Sequence, residues 1–161
     1  MAREAGKYAR YELERKFLLG RVPEGLEDDA QIYDRYIERT SLRLRWVEHP
    51  GGRVEYKLNQ KASPFPPNYG VMTITSVYLS EAEYEVLSGL PAHELRKRRY
   101  HLDGYSIDVF EADLAGLLLA EMEFTSEEEM EAHPLPDFAV REVSADLRYT
   151  GGSLAANGRP K

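Results

Sequence analysis

The chain has 161 residues, 42% hydrophobic and 30% charged, a balance that suits one globular domain with a real core and excludes a disordered chain. It contains no cysteine, which excludes disulfides, thiolate metal sites and a cysteine nucleophile. The net charge of −7 argues against nonspecific binding to long nucleic acids, and no apolar run approaches the roughly 20 residues of a membrane span.

The opening "MAREAGKYAR" lacks the apolar centre of a signal peptide, so a cytoplasmic protein is expected. Residues 1–7 read as a flexible N-terminus, 8–155 as a single domain and 156–161 as a flexible C-terminus. In chain order, period-2 alternation predicts strands over Tyr8–Leu19, Gln31–Glu38, Ser41–His49, Arg53–Gln60, Gly70–Leu79, Leu95–Leu102, Tyr105–Glu111 and Leu117–Thr125. "EHPGGR" and "HLDGYS" read as hairpin turns, and "ASPFPPNYG", with three prolines, as a loop at a strand junction. Ser80 with Glu83, and Ser126 with Glu129, are capping boxes that open two helices. "SADLRYTGGSLA" predicts a short helix, then a glycine break and a tail. Eight strands with few helices suggest a mainly β fold, an eight-stranded antiparallel closed β-barrel with flanking helices.

The charges sharpen that reading, because alternate residues of a strand share one face. Glu12, Glu14 and Lys16 form one such row. Arg43 with Arg45, Lys57 with Asn59 and Lys61, Lys97 with Arg99, and Glu121 with Glu123 form others, and Asp108 stands between apolar neighbours. Any single row fits an ordinary solvated face. Taken together they segregate by sign, and their opposite faces carry Leu, Trp, Phe, Met and Val that need cover. A barrel with a polar, water-filled interior satisfies both. Its bases come from Lys16, Arg43, Arg45, Lys57 or Lys61, Lys97 and Arg99, and its acids from Glu12, Glu14, Asp108, Glu121 and Glu123. Charges left unpaired in such an interior are costly. A polyanion satisfies the bases and divalent cations the surplus carboxylates, which describes a metal–polyphosphate complex.

"ELERK" followed in order by "LRLR", "LNQK", "KRRY", "IDVF", "AGLLLAEMEF" and "EVSADLRYTGGSLA" resembles the CYTH family, the triphosphate tunnel metalloenzymes, from about Tyr11 to Ala155. The resemblance implies an eight-stranded tunnel that binds a small-molecule triphosphate together with Mg²⁺ or Mn²⁺. It implies metal-binding roles for Glu12, Glu14, Glu121 and Glu123, with Asp108 as a further carboxylate. It implies phosphate contacts for Arg43, Arg45, Lys61, Lys97 and Arg99, and contact with phosphate or help in attack for Lys16. Many members carry a further E-x-E before the "SEAEYEVL" helix. Here "GVMTITSVYL" offers Thr73 and Thr75 and no acid, which implies a weaker metal site or a changed specificity.

The expected function is a metal-dependent triphosphatase, with Glu14 and Lys16 nearest the chemistry. The alternatives are a catalytically weak polyphosphate-binding module and an adenylate cyclase of the family's class IV type. No membrane partner is expected, and self-association into a homodimer is compatible with the sequence. The four histidines show no ligand spacing and receive no role.

Overall fold

The computed structural model describes residues 6–63 and 70–161. Most of the proline-rich "ASPFPPNYG" loop and the first five residues lie outside the described residues.

Nine strands and three α-helices occur among the described residues. The strands are β1 (Arg10–Leu19), β2 (Glu27–Ile37), β3 (Leu42–Glu48), β4 (Val54–Ala62), β5 (Val71–Leu79), β6 (Ala92–Leu102), β7 (Tyr105–Phe110), β8 (Leu118–Phe124) and β9 (Ala139–Glu142). The helices are α1 (Glu81–Leu87), α2 (Glu127–Ala132) and α3 (Gly151–Asn157). Strand order β5-β4-β3-β2-β6-β7-β8-β1, with β1 pairing back onto β5, closes an antiparallel eight-stranded barrel. Closure leaves the barrel without a long free edge. Strand β1 divides one of its edges. Arg10–Leu13 pair with β5, and Phe17–Leu19 pair with β9.

The predicted strands are all present, and β2 starts earlier than expected, at Glu27. β9 was not predicted. Its four residues are mostly exposed, so "AVRE" carries no apolar alternation to read. Ser80 caps α1 in a full capping box. At α2 the Ser126 hydroxyl accepts from the Glu129 N–H, while the Glu129 carboxylate turns to Thr125. No described helix is long and apolar enough to cross a membrane.

Two large apolar clusters and a small one of Ala30, Ile32 and Val47 hold the barrel. Phe17, Leu19, Tyr105, Ile107, Leu118 and Ala120 pack on the outer faces of β1, β7 and β8, with Phe138 and Ala139 laid over them. The second cluster joins Leu95, Phe110, Leu114, Leu117 and Leu119 to Val143, Tyr149 and Leu154, with Leu18 and Tyr36 against it. Leu18, Tyr36, Leu95, Phe110 and Leu119 each lie two residues from Lys16, Asp34, Lys97, Asp108 and Glu121 in turn, so they share the inner face. The inner charge rows therefore run out into an apolar layer, and the C-terminal segment fills it.

The expected glycine break in that segment is instead the first turn of α3, where the Thr150 side chain accepts from the Ser153 N–H. Glycine is required there by contact. A Cβ on Gly151 would lie 1.8 Å from the Tyr36 hydroxyl. Gly151→Ala is therefore expected to destabilise the fold by about 1–3 kcal/mol, the usual cost of overpacking. Urea denaturation checks this; an unchanged midpoint would show that α3 is not seated against Tyr36.

Candidate functional site

Direct cross-strand partners share a face, so register alone places the charges. Glu14 faces Glu123, and Lys16 faces Glu121. Asp34 faces Arg45. Arg45 faces Lys57, and Arg43 faces Asn59. Arg99 faces Asp108. Every charged residue singled out in the sequence falls on the inner face by this rule. They separate into a basic and an acidic region.

The basic region is built on buried aspartates. Asp108 is 0% exposed. Lys97 Nζ lies 2.6 Å from its Oδ2, and Arg99 grips both its oxygens at 2.7 and 2.8 Å. Arg99 also donates to Glu121 at 3.1 Å. Asp34 is likewise 0% exposed and accepts from Arg45 Nε and Nη2 at 2.6 and 2.7 Å. Arg43 donates to Asn59 at 2.8 Å, and Asn59 in turn donates to Ser76 at 2.7 Å. Arg43 Nε is buried without a hydrogen-bond acceptor. Burial alone would raise the Asp34 and Glu121 pKa values. Arg45 instead holds Asp34 far below the usual carboxylate range, and Lys16, Lys97 and Arg99 hold Glu121 well below it. Burial lowers Lys97, partly offset by Asp108.

Lys16 is fixed from the C-terminal side. Its Nζ donates to the Tyr149 carbonyl at 3.1 Å and lies 3.5 Å from Glu121. Its backbone N–H donates to Ser144 Oγ, and its carbonyl accepts from the Val143 N–H.

The acidic region holds Glu12, Glu14 and Glu123, each offering an oxygen within 4.8 Å of the others. Glu12 is 6% exposed, and Lys61 donates to it at 2.6 Å. Like charges directly across a ladder, as Glu14 and Glu123 are, destabilise a sheet. Burial, and then Glu121, push Glu14 up to about 7. Three converging carboxylates with too little positive charge fit a hard divalent cation, which takes oxygen ligands.

The sequence grouped Glu121, Glu123 and Asp108 together as carboxylates toward metal. The structure gathers Glu123 with Glu12 and Glu14, and places Glu121 and Asp108 among the bases. Lys57 sits toward the rim, 3.5 Å from Glu55 and over the Tyr78 ring. The inward placement of Thr73 and Thr75 needs correction, while the lack of an acid on that strand stands. Met72 pairs with Glu12 and Ile74 with Arg10, so those two face inward and the threonines face out. Thr73 donates its hydroxyl to the Ala62 carbonyl. The inner positions of β5 are thus Met72, Ile74, Ser76 and Tyr78, again without an acid. Asp34 was missed. Its one signal was an acid set at alternate positions with Ala30, Ile32 and Tyr36, on a face of β2 otherwise apolar or aromatic.

No family model matches the chain. An inorganic triphosphatase of Nitrosomonas europaea is 32% identical over 160 residues, covering 89% of this chain and 96% of that protein. The crystal structure of the inorganic triphosphatase NE1496 superposes with a TM-score of 0.59 at 28% identity, over 89% of this chain and 93% of that one. A second structure, of the hypothetical protein NE1496, gives a TM-score of 0.59 at 27% identity, over 89% and 97%.

The raised Glu14 pKa has a signed consequence for stability. Glu14 binds its proton more tightly folded, at about 7, than at its ordinary 4.5. Its charge therefore costs stability that is absent at pH 4, grows through pH 5–7 and is fully present above that. Glu14→Gln is expected to raise the urea midpoint of the metal-free protein at pH 8 and to leave it nearly unchanged at pH 4. Equal shifts at both pH values would show that Glu14 carries no such burden.

Proposed function

The chain belongs to the family of the Nitrosomonas europaea inorganic triphosphatase, and on that premise we propose that it hydrolyses a phosphoanhydride bond of a triphosphate held inside the barrel, with a divalent metal ion. The observation that carries the metal dependence is the converging trio Glu12, Glu14 and Glu123 beside two rows of bases. The finer reading, a CYTH-type triphosphate tunnel metalloenzyme, is supported by the order of its charge motifs and by their common inner face. Inorganic tripolyphosphate is the first substrate to test.

Glu12, Glu14 and Glu123 would hold Mg²⁺ or Mn²⁺. Such an ion, when bound, neutralises phosphate charge and orients the scissile group. The chain's own residues do the rest. Arg43, whose Nε has no hydrogen-bond acceptor, and Lys61 bind phosphate oxygens, and Lys16, held by the Tyr149 carbonyl, presents its ammonium to the same chain of phosphates. Arg45 anchors phosphate, and Lys97 and Arg99, fixed by Asp108, supply a preformed positive field that needs no rearrangement as charge shifts in the transition state. Enclosure by the strands keeps bulk water from screening that field.

Purified protein with tripolyphosphate is expected to release orthophosphate when Mg²⁺ or Mn²⁺ is added and to stop when EDTA removes it. Glu123→Ala is expected to abolish turnover while circular dichroism stays unchanged. Tight tripolyphosphate binding with no turnover would replace this reading with that of a binding module. Cyclic AMP and pyrophosphate from ATP would replace it with a cyclase.

A further inference from the structure

We propose that Asp34 is a positioning residue for the triphosphate: it fixes the Arg45 guanidinium so that the edge left over faces the ligand. The proposal rests on the reading of the barrel interior as a triphosphate site.

Three observations carry it. Asp34 is fully enclosed, and both its oxygens are taken by Arg45 Nε and Nη2, a fork-on-fork geometry that leaves the guanidinium one orientation. Arg45 itself is only 9% exposed, so it has no room to relax into solvent if that grip is lost. Asp34 also stands on β2, between the Arg43–Arg45 row of β3 and the Lys97–Arg99 row of β6. Arg43 Nε lies 4.0 Å from it. Lys97 contributes to holding its carboxyl ionised.

Stability alone is a poor reason for this arrangement. A buried ion pair does little better than well-packed apolar residues of like volume, and Ile32 and Leu95 already show that this wall accepts them. A buried acid that orients a buried base makes sense where the base must meet an anion in a set geometry. Asp34 also supplies negative charge between the two basic rows, which lets them stand close together before any anion arrives. Asp108 makes the matching fork with Arg99 on the other side of β6. The two base rows thus have one buried aspartate each.

The test is a double-mutant cycle read in KM and kcat for tripolyphosphate with saturating metal, alongside calorimetric binding of tripolyphosphate. Asp34→Asn keeps the size but aims an amide N–H₂ at a donor. It is expected to raise KM about tenfold, the loss of one oriented charge-assisted contact, while kcat moves less than about threefold. Asp34→Glu is expected to recover part of the loss. In an Arg45→Ala background Asp34→Asn is expected to do almost nothing further, because its effect passes through Arg45. An unchanged KM with only a lower melting temperature would overturn the proposal, and so would an equal rise in KM with and without Arg45. If Asp34→Asn fails to fold, Asp34→Glu against Arg45→Lys gives the same cycle with charge retained. If the wild-type protein binds tripolyphosphate without turning it over, the hydrolase reading fails. The cycle then proceeds on the calorimetric dissociation constant, where the same tenfold loss is expected.

Discussion

Taking a charge out of water is the constraint on which this barrel depends. A carboxylate or guanidinium on the inner face loses most of its hydration, and the protein must return that energy through partners with good geometry. The ladder does this by register. Asp34 is set opposite Arg45, Asp108 opposite Arg99 and Lys16 opposite Glu121, so each ion meets its counter-ion across one strand spacing. A slip of one residue on any of these strands would send its charges outside and its Leu, Ile and Phe neighbours inside. The ion pairs and the outer apolar cluster around Phe17 and Ile107 therefore select the same register.

Closure follows from the same economy. An open sheet would leave one face wet and the buried aspartates without a purpose. The barrel is completed where β1 turns one edge partly to β5 and partly to β9. The segment that follows β9 then seals the apolar end of the interior with Tyr149 and Leu154, and takes hold of Lys16 through Tyr149, Ser144 and Val143. The C-terminal region thus serves packing and site geometry with one set of contacts, which explains why Gly151 is pressed so tightly against Tyr36.

Much of this was legible in the sequence because period-2 alternation and rows of like charge are local signals. Glu12, Glu14 and Lys16, or Lys97 and Arg99, announce a shared face without knowledge of any other strand. What was not legible depended on partners distant in the chain. Whether Glu121 belongs with acids or bases is decided by its neighbour Arg99, 22 positions away. Which residues of "GVMTITSVYL" face inward is decided by pairing Met72 with Glu12, across an interval of chain that no local pattern spans. Asp34 has no second acid beside it to form a row, so its role emerges only once Arg45 lies opposite. β9 has so little buried surface that its strand character comes from its partner β1.

The carboxylates of the interior fall into two kinds, and the division says more than the motifs did. Asp34, Asp108 and Glu121 are drawn below their ordinary pKa by cations that touch them. Glu14 is driven the other way by burial and by other acids. The first kind are complete: their charge is answered within the protein, and they serve to hold bases in place. The second kind are unfinished, since Glu14 and Glu123 face each other across the ladder with Glu12 close by. Lys61 answers Glu12 from within, so the crowding falls on Glu14 and Glu123, where the proposed divalent cation would supply the positive charge. The basic rows ask for a negative one. The two regions lie in one enclosed space, and the proposed metal–triphosphate ligand would answer both at once.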